Sequence, residues 1–283
     1  MNHDNIEEIK RIELNILDEF AKVCDKLDVK YFLAYWTMIG AIRHKGFIPW
    51  DDDIDVVMMR EDYEKFINQA QALLPENLFL QNYKTDKNFL LQYSKIRDNN
   101  TTFIEQSQCK LDINHGIFID IFPLDYCYDA NDKTKKLFKR IKFKCSLLSP
   151  FFSPITDIEN GYGFAKKTIL KLKRMVQRIL FALLYGSKKN TGKLLEDIDK
   201  IKMSVPKGKN VSVFDGFIVE NKDWFNECAE YEFEGKKYIG VKDYHSYLTQ
   251  IYGDYMQLPP EEKCVPQHYT TIIDTGKSYK EYI

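Results

Sequence analysis

The sequence of 283 residues is nearly neutral, with 41 Lys and Arg against 42 Asp and Glu and a net charge of −1. Its hydrophobic content of 44% and aromatic content of 14% suffice for a sizeable core and exclude a disordered chain. Because no global positive field favours nucleic acid, we expect no nucleic-acid partner.

The N-terminus has no basic region followed by an apolar one, so we expect no secretory signal and a cytoplasmic protein. No apolar run reaches the roughly 18 residues of a membrane-spanning helix. The six cysteines include no Cys-x-x-Cys pair and are interpreted as reduced thiols in or near the core. A structural zinc site is the alternative, but no ligand spacing favours it.

The first elements are a helix and a short strand. Residues 5–28 have apolar side chains at three- and four-residue spacing, which predicts an amphipathic scaffold helix with Lys10 facing water. Residues 31–35 suit a strand. Thr37 is predicted to cap a short helix that Gly40 and Ala41 open or join, with backbone N–H groups that would bind a phosphate. The alternative for Gly40 is tight helix–strand packing.

Four carboxylates follow within five residues, at Asp51, Asp52, Asp53 and Asp55. Like charges this close repel, so their pKa values rise unless a cation is present. Residues 54–59 have strand character, and alternate residues of a strand share a face. Asp53 and Asp55 then point the same way, with Cα atoms about 6.6 Å apart. The pattern predicts a site for Mg²⁺ or Mn²⁺.

Positive charge precedes this cluster, at Arg43, His44 and Lys45. Anion-binding groups beside a metal-binding acidic pair suit a substrate that is an anion carrying Mg²⁺, such as a nucleoside diphosphate. We therefore predict substrate contacts at these three residues and at Asp51 and Asp52. The alternative is a solvated acidic turn after a charged helix end.

Two predicted strands follow a predicted helix at residues 61–74, the strands being residues 78–83 and 91–97. Lys95 and Arg97 alternate onto one face of the second strand. Two cations on one face of a buried sheet need an anionic partner, so both are predicted to bind nucleotide phosphates. Surface ion pairing on an edge strand is the alternative.

A further strand is predicted at residues 116–122, carrying Asp120 and ending at Pro123. If Asp120 joins Asp53 and Asp55, the three carboxylates can hold Mg²⁺ and orient an attacking hydroxyl.

The composition changes at residue 131. Residues 131–193 contain 16 Lys or Arg against three acids, a net charge of about +13. Within them, residues 164–185 predict a basic amphipathic helix, as found at anionic membrane surfaces, where each Lys or Arg contributes about 1 kcal/mol. That interpretation would place the protein at the inner face of the plasma membrane. The alternative is a helical subdomain whose apolar stripe packs on the core.

The acidic region resembles the signature of a known family. The run Arg-His-Lys-Gly-Phe-Ile-Pro-Trp-Asp-Asp-Asp-Ile-Asp at residues 43–55, followed by Arg-Glu-Asp-Tyr-Glu-Lys-Phe at residues 60–66, is similar to that of the LicD family. The Lys-hydrophobic-Arg-Asp element at residues 95–98 and the run Tyr-Gly-Asp-Tyr-Met-Gln-Leu-Pro-Pro at residues 252–260 resemble two more of its blocks. His268 matches a His that frequently follows. The resemblance does not extend to residues 131–203, hereafter the basic block.

That family comprises bacterial phosphocholine transferases related to the fukutin-type ribitol-phosphate transferases. The resemblance implies an α/β protein with a nucleotidyltransferase-like mixed sheet, flanking helices and a basic helical insertion. Asp53 and Asp55 match the Asp-x-Asp pair of that fold and Asp120 its later strand carboxylate, which implies catalytic and metal-binding roles for all three. Gly40 matches the glycine that precedes the pair, whereas Ala41 stands where Ser or Gly is more usual.

The implied reaction moves phosphocholine from CDP-choline to a sugar hydroxyl of a cell-surface glycan precursor, free or lipid-linked, and releases CMP. Teichoic acid, lipopolysaccharide and capsule precursors are the expected acceptors. Clustered Tyr and Trp residues in the C-terminal part would suit a quaternary ammonium by cation–π contact, with core packing as the alternative. Other functions left open are transfer of ribitol- or glycerol-phosphate from the CDP-alcohol, nucleotidyl transfer, and a non-catalytic scaffold on the membrane.

Three regions are expected along the chain. Residues 1–130 would form the catalytic core with its N-terminal helix, residues 131–205 the helical insertion, and residues 206–283 the part that completes the catalytic domain.

Overall fold

The computed structural model describes residues 3–129, 131–214 and 217–283. Its helices are α1 (His3–Leu27), α2 (Tyr35–Arg43), α3 (Arg60–Gln69), α4 (Asp132–Ser146), α5 (Thr156–Glu159), α6 (Phe164–Tyr185), α7 (Thr191–Met203) and α8 (Tyr244–Tyr252). Its strands are β1 (Phe32–Leu33), β2 (Asp55–Met59), β3 (Leu78–Gln81), β4 (Ser94–Asp98), β5 (Thr102–Glu105), β6 (Ile117–Cys127), β7 (Asn210–Ser212), β8 (Glu220–Asn221), β9 (Cys228–Phe233), β10 (Lys236–Val241) and β11 (Thr270–Asp274).

Nine of the described strands form one mixed sheet. Seven lie in the order β3-β4-β6-β2-β1-β10-β9, and the end of β6 also pairs with β7, which pairs with β8. The pairs β2–β6 and β1–β10 are parallel, and the other neighbours are antiparallel. Strands β5 and β11 form a separate antiparallel pair. The predicted mixed sheet with flanking helices is confirmed.

Side-chain pattern explains where α1 forms, and backbone conformation explains where β1 ends. The apolar stripe of α1 is buried, as at Ile9, Ile16 and Phe20, so the predicted helix is confirmed. Strand β1 is shorter than predicted because Tyr35 has a φ of 48°, outside the β region, and begins α2. The helix predicted at residues 61–74 is α3, which ends earlier, at Gln69.

Strand β6 is longer than predicted. Pro123 does not end it but pairs in register with Met58 of β2. On the other side of β6, the pairing with β4 ends at Ile121 and the pairing with β7 begins at Asp125. A residue without an N–H donor fits this gap between two partner strands, so the strand continues through the proline.

A buried ion pair joins the sheet to two helices. Nε and Nη2 of Arg60, the first residue of α3, donate to the two carboxylate oxygens of Asp125 on β6 at 2.7 and 2.6 Å. Nη2 also lies 3.5 Å from a carboxylate oxygen of Asp199 on α7. Because both ends of the Arg60–Asp125 pair are buried, its geometry fixes how α3 sits on the sheet.

The basic block packs on a second hydrophobic cluster through α4, α6 and α7. Other parts of the chain contribute Phe89, Leu111 and Phe214 to this cluster. Helix α6 has the predicted bounds, but of its side chains only Gln177 and Phe181 are buried. The interpretation that its apolar stripe packs on the core is therefore wrong. Within the part of the chain that is described, no helix has both the length and the apolarity to cross a bilayer.

Candidate active site

Three carboxylates meet on neighbouring strands of the sheet. Asp55 begins β2, and its register partner on the parallel strand β6 is Asp120. Adjacent strands lie about 4.8 Å apart, so side chains at one register position stand side by side. Asp53 precedes β2 by two residues, and one carboxylate oxygen from each of Asp53, Asp55 and Asp120 lies within 4.8 Å of the other two. The structure thus brings the three predicted catalytic and metal-binding residues together.

Backbone contacts hold the start of β2 in place. The N–H of Asp55 donates to Oγ1 of Thr37 at 2.8 Å, and the N–H of Ala34 donates to the carbonyl oxygen of Asp55 at 3.0 Å. The N–H of Asp120 donates to the carbonyl oxygen of Ile54 at 2.8 Å. The carboxylates therefore project from backbone that the sheet and α2 hold on both sides.

The carboxylates have raised pKa values. Burial raises the pKa of Asp55 well above its usual value, and the charges on Asp53 and Asp120 raise it further. Burial likewise raises the pKa of Asp51 far above normal, with Asp53 and Asp52 adding to the effect. The pKa values of Asp53 and Asp120 are also raised by burial, against the opposing charges of His268 and Lys95 respectively.

These residues fit a divalent cation. Carboxylate oxygens are the ligands that Mg²⁺ prefers, and a cation among them would remove the repulsion that raises their pKa values. Oδ1 of Asp51 is buried and has no hydrogen-bond partner within the described residues. Asp53, Asp55 and Asp120 would hold the ion, with Asp51 beside them.

The carboxylates open into a cavity of about 570 Å³ with an aromatic wall. Its aromatic side chains are Tyr35, Trp36, Tyr93, Phe122 and Tyr252. The Phe122 ring centroid lies 4.4 Å from that of Tyr93 and 5.9 Å from that of Tyr35, so three of these rings form a continuous surface. The same cavity thus combines carboxylates suited to a metal with aromatic side chains.

Four of the five aromatic residues of the wall come from outside the C-terminal part of the chain. Trp224 and Phe225 pack on Tyr247, with ring centroids 5.9 and 6.0 Å from it. From that part of the chain the ring that lines the cavity is Tyr252, at the end of α8. Tyr35 reaches the cavity through its positive φ, which the sequence pattern does not signal.

Lys95 and Arg97 share a face of β4, as predicted, but bind protein groups. Nζ of Lys95 lies 2.8 Å from Oδ1 of Asp120, its register partner on β6, and 3.9 Å from Oε2 of Glu105. Arg97 is fully buried, with Nε donating to Gln81 and Nη1 donating to the carbonyl oxygen of Gly116 at 2.7 Å. Lys95 can therefore offset charge at the site, whereas Arg97, whose Nη2 lies 3.6 Å from Oε2 of Glu105, holds β4 to its neighbours.

The edge-strand alternative for these two cations is wrong. Strand β4 lies between β3 and β6, and both side chains are buried.

Asp52 holds the C-terminal part of the chain against the site. Its Oδ1 accepts hydrogen bonds from the backbone N–H of Gln267 at 3.0 Å and from Nδ1 of His268 at 3.2 Å. Nε2 of His268 then lies 3.8 Å from Oδ2 of Asp53. Asp52 is fully buried, so the structure makes it a positioning residue rather than the substrate contact predicted.

The surroundings of His268 favour its charged form. Burial alone would lower its pKa, but the hydrogen bond to Asp52 and the charges on Asp53 and Glu105 outweigh burial and raise the pKa to about 9. Its ring lies edge-on to Phe103 and Phe118, at centroid distances of 5.7 and 5.5 Å. The sequence marked this histidine only by its match to the family pattern and gave it no role.

Helix α1 contributes two buried polar residues that the sequence analysis missed. Lys10 does not face water: its Nζ donates to the carbonyl oxygen of Pro49 at 2.8 Å and so holds the loop before the acidic cluster. Burial and then the charge of Asp53 raise the pKa of Glu13 well above its usual value. Glu13 follows Ile9 by four residues and precedes Ile16 by three, a position within the apolar stripe that could have revealed it.

The predicted phosphate site at Gly40 is not formed. Thr37 does not cap α2, which begins at Tyr35 after Ala34, and Gly40 and Ala41 lie inside the helix, where their N–H groups belong to its own hydrogen bonds. A Cβ at Gly40 would collide with the carbonyl oxygen of Gly46. Gly40 thus permits close packing, but against the turn at Gly46 rather than against a strand, as the alternative had it.

Arg43, His44 and Lys45 do not line the carboxylate cavity, and their substrate contacts stay a prediction. Arg43 lines a second cavity of about 400 Å³ that shares Trp36 and Tyr252 with the first, and its Nη1 donates to the carbonyl oxygen of Tyr255 at 3.0 Å. His44 and Lys45 are exposed. Nε of Arg43 donates to Nε2 of His44 at 2.8 Å, so these two side chains lie together at the end of α2, outside the carboxylate cavity.

Known proteins resemble this chain over most of its length. It is 33% identical over 265 aligned residues to the lipopolysaccharide cholinephosphotransferase LicD of Haemophilus influenzae, an alignment covering 90% of this chain and 92% of that protein. An uncharacterized protein of Rickettsia typhi is 27% identical over 161 residues, covering 56% of this chain and 48% of that protein.

The family model described as LicD/FKTN/FKRP, nucleotidyltransferase domain, matches residues 28–159. That range contains α2, β2 and β6 and therefore all three clustered carboxylates. With the full-length similarity, this match shows that the chain belongs to the LicD family.

Proposed function

We propose that the protein is a metal-dependent transferase that moves phosphocholine from CDP-choline to a sugar hydroxyl of a cell-surface glycan and releases CMP. The observation that carries the proposal is the cavity in which Asp53, Asp55 and Asp120 face an aromatic wall. The printed name of the Haemophilus influenzae relative, a lipopolysaccharide cholinephosphotransferase, supports the transferred group and the class of acceptor.

The aromatic wall favours choline over other head groups. A quaternary ammonium over the face of a Tyr or Trp ring is attracted by about 0.5–2 kcal/mol. Trp36, Tyr93 and Tyr252 offer such rings in the same cavity as the carboxylates. Ribitol and glycerol carry hydroxyl groups instead of a cation, and their recognition calls for hydrogen-bond partners rather than ring faces.

In the proposed reaction the acceptor hydroxyl attacks the choline-side phosphorus. A P–O bond to the acceptor oxygen forms, the P–O bond to CMP breaks, and CMP leaves with the bridging oxygen and its electron pair. Asp120 or Asp53 accepts the hydroxyl proton and orients the oxygen for in-line attack. Lys95 and the charged His268 offset negative charge beside the carboxylates.

A bound Mg²⁺ or Mn²⁺ would supply charge neutralisation of the pyrophosphate, the main requirement of phosphoryl transfer. Asp53, Asp55 and Asp120 are the residues proposed to hold it.

The deciding experiment is calorimetric titration of CDP-choline, CDP-ribitol and CDP-glycerol into the protein, with and without Mg²⁺. We expect binding of CDP-choline that requires metal. When acceptor is added, we expect CMP to be released from the bound CDP-choline. Preference for another CDP-alcohol would replace the transferred group but keep the chemistry. Failure of all three to bind would favour a scaffold protein.

Two variants make this test specific. Asp53→Asn should abolish turnover while the fold is retained, and full activity in this variant would refute the assignment. Tyr252→Leu should weaken CDP-choline binding by about 2- to 30-fold, the equivalent of ~0.5–2 kcal/mol, and leave the binding of CMP nearly unchanged. An equal loss for CDP-choline and CMP would show that the ring does not contact the choline group.

A further inference from the structure

Most of the apolar side chains of α6 point away from the protein. Phe164 and Leu184 are exposed, and six more form a stripe with exposures of 45–77%, namely Ile169, Leu172, Met175, Val176, Ile179 and Leu183. At about 100° per residue they occupy a single arc of about 120° on the helix. An apolar stripe this wide normally faces a protein core, but here it faces solvent.

The opposite side of α6 anchors the helix to the protein. Phe181 is 2% exposed, and its ring centroid lies 4.9 Å from that of Phe151 and 5.4 Å from that of Tyr185. Tyr185 in turn donates a hydrogen bond to Asp197 of α7 at 2.9 Å. These contacts fix the rotation of the helix, so exposure of the apolar stripe is a property of the packed structure.

Cations border the exposed stripe on both sides. Helix α6 contains six Lys or Arg and no Asp or Glu. On the helical wheel Lys166 and Lys173 lie at one edge of the stripe, and Lys171 and Arg178 lie at the other. An apolar face between two rows of cations is the arrangement of helices that lie in the interface of an anionic membrane.

We propose that α6 binds the surface of a membrane containing anionic phospholipid, with its axis in the membrane plane. The apolar arc enters the boundary between head groups and acyl chains, and the flanking cations contact lipid phosphates. Charge selects this partner over a second copy of the chain, because two such faces in contact would bring like-charged rows together.

The test is co-sedimentation of the full-length protein with phosphatidylcholine vesicles, with and without phosphatidylglycerol. We expect binding only to the vesicles that contain phosphatidylglycerol. Replacing Leu172, Ile179 and Leu183 together by Ser should abolish it. Replacing Lys166, Lys171 and Lys173 by Gln should weaken it about 100-fold, because each cation near the surface contributes roughly fivefold.

The matched control replaces three exposed lysines elsewhere, Lys26, Lys87 and Lys110, by Gln. It changes the net charge equally and should bind as the wild type does. An equal loss of vesicle binding in this control would show that net charge alone accounts for the effect, and it would overturn the proposal. Binding to phosphatidylcholine alone, or to no vesicle, would also overturn it.

Sedimentation velocity without lipid tests whether a second copy of the chain, rather than a membrane, covers α6. A dimer that the triple serine variant abolishes, in a protein that binds no vesicle, would identify a second copy of the chain as the partner of α6. A monomer that binds anionic vesicles would support the proposal. Circular dichroism of each variant checks that the fold is retained, as expected for substitutions at exposed positions.

Discussion

His268 and Asp52 are separated by 216 positions in the sequence and lie 3.2 Å apart, from Nδ1 to Oδ1. This contact joins the C-terminal part of the chain to the acidic loop. It also places the second ring nitrogen of His268 next to Asp53. The histidine therefore holds the C-terminal part of the chain to the acidic loop and also affects the charge of the site.

Replacing His268 by Asn should lower turnover by about 10- to 100-fold. Asn can keep a hydrogen bond to Asp52 near the position of Nδ1 but loses the positive charge, and a hydrogen bond to a charged group contributes about 1.5–3 kcal/mol. The measurement is CMP release at saturating CDP-choline. His268→Ala should be worse than His268→Asn, and equal activity in the two variants would argue against a role for the Asp52 contact.

The stability of the metal-free protein should fall as the pH rises from about 6.5 to about 9. The folded-state pKa of His268 is raised to about 9. The charged form is thus favoured in the folded state, and this contribution is complete below 6.5 and lost as pH passes through 9. Urea unfolding at several pH values measures it, and His268→Asn should flatten the slope over this range. An unchanged slope in the variant would assign the titration to another group.

Mg²⁺ or Mn²⁺ should raise the thermal unfolding temperature of the wild type but not that of Asp55→Asn. A ligand that binds only the folded state stabilises it, by an amount that grows with the logarithm of the ligand concentration above its Kd. Without metal, the variant should be at least as stable as the wild type at pH 8, because burial and nearby charge make the Asp55 carboxylate costly to ionise. Equal stabilisation of both proteins by metal would place the cation elsewhere.

Replacing Arg60 by Met should destabilise the protein by about 3–5 kcal/mol, since it leaves the Asp125 carboxylate buried without its partner. Urea unfolding gives the value. The double replacement Arg60→Met with Asp125→Leu should recover much of the loss, because it removes both charges. A double variant as unstable as the sum of the single variants would contradict this account of the pair.

Glu220→Gln should stabilise the protein at pH 8 and make its stability less dependent on pH between about 4.5 and 8. Burial raises the pKa of Glu220 to about 8, and both carboxylate oxygens lack hydrogen-bond partners within the described part of the chain. The folded state therefore holds a proton that the unfolded state releases, and stability declines as pH rises through this range. The full shift corresponds to about 5 kcal/mol. Equal pH profiles for the variant and the wild type would show that Glu220 is ionised in the folded state.

Local patterns were enough to predict the carboxylate site. Asp55 begins an apolar strand and Asp120 lies in another, so both could be assigned to strands by their neighbours, and Asp53 lies two residues before the first of them. The mixed sheet and the long helices α1 and α6 follow from hydrophobic periodicity and family resemblance. The domain boundaries at residues 130 and 205 stay a prediction.

The contacts that local patterns missed join residues that are far apart in the sequence. Nothing near Asp52 indicates that it faces His268, and nothing near Arg97 indicates that its partners are Gln81 and Gly116. The direction of α6 was likewise undecided, because the same amphipathic pattern fits a core-facing helix and a solvent-facing one. Only the packing of Phe181 distinguishes them.

The path of the chain around the basic block has a topological consequence. Cys127, the last residue of β6, and Asn210, the first residue of β7, are register partners on adjacent antiparallel strands. Everything between them is thus the connection of one β-hairpin, and a tight turn could replace it without changing the strand register. The block could in principle be shortened or exchanged during evolution while the sheet persisted, provided that polar residues replaced Phe89 and Leu111, which it covers. Surface attachment and group transfer would then be separable modules of one chain.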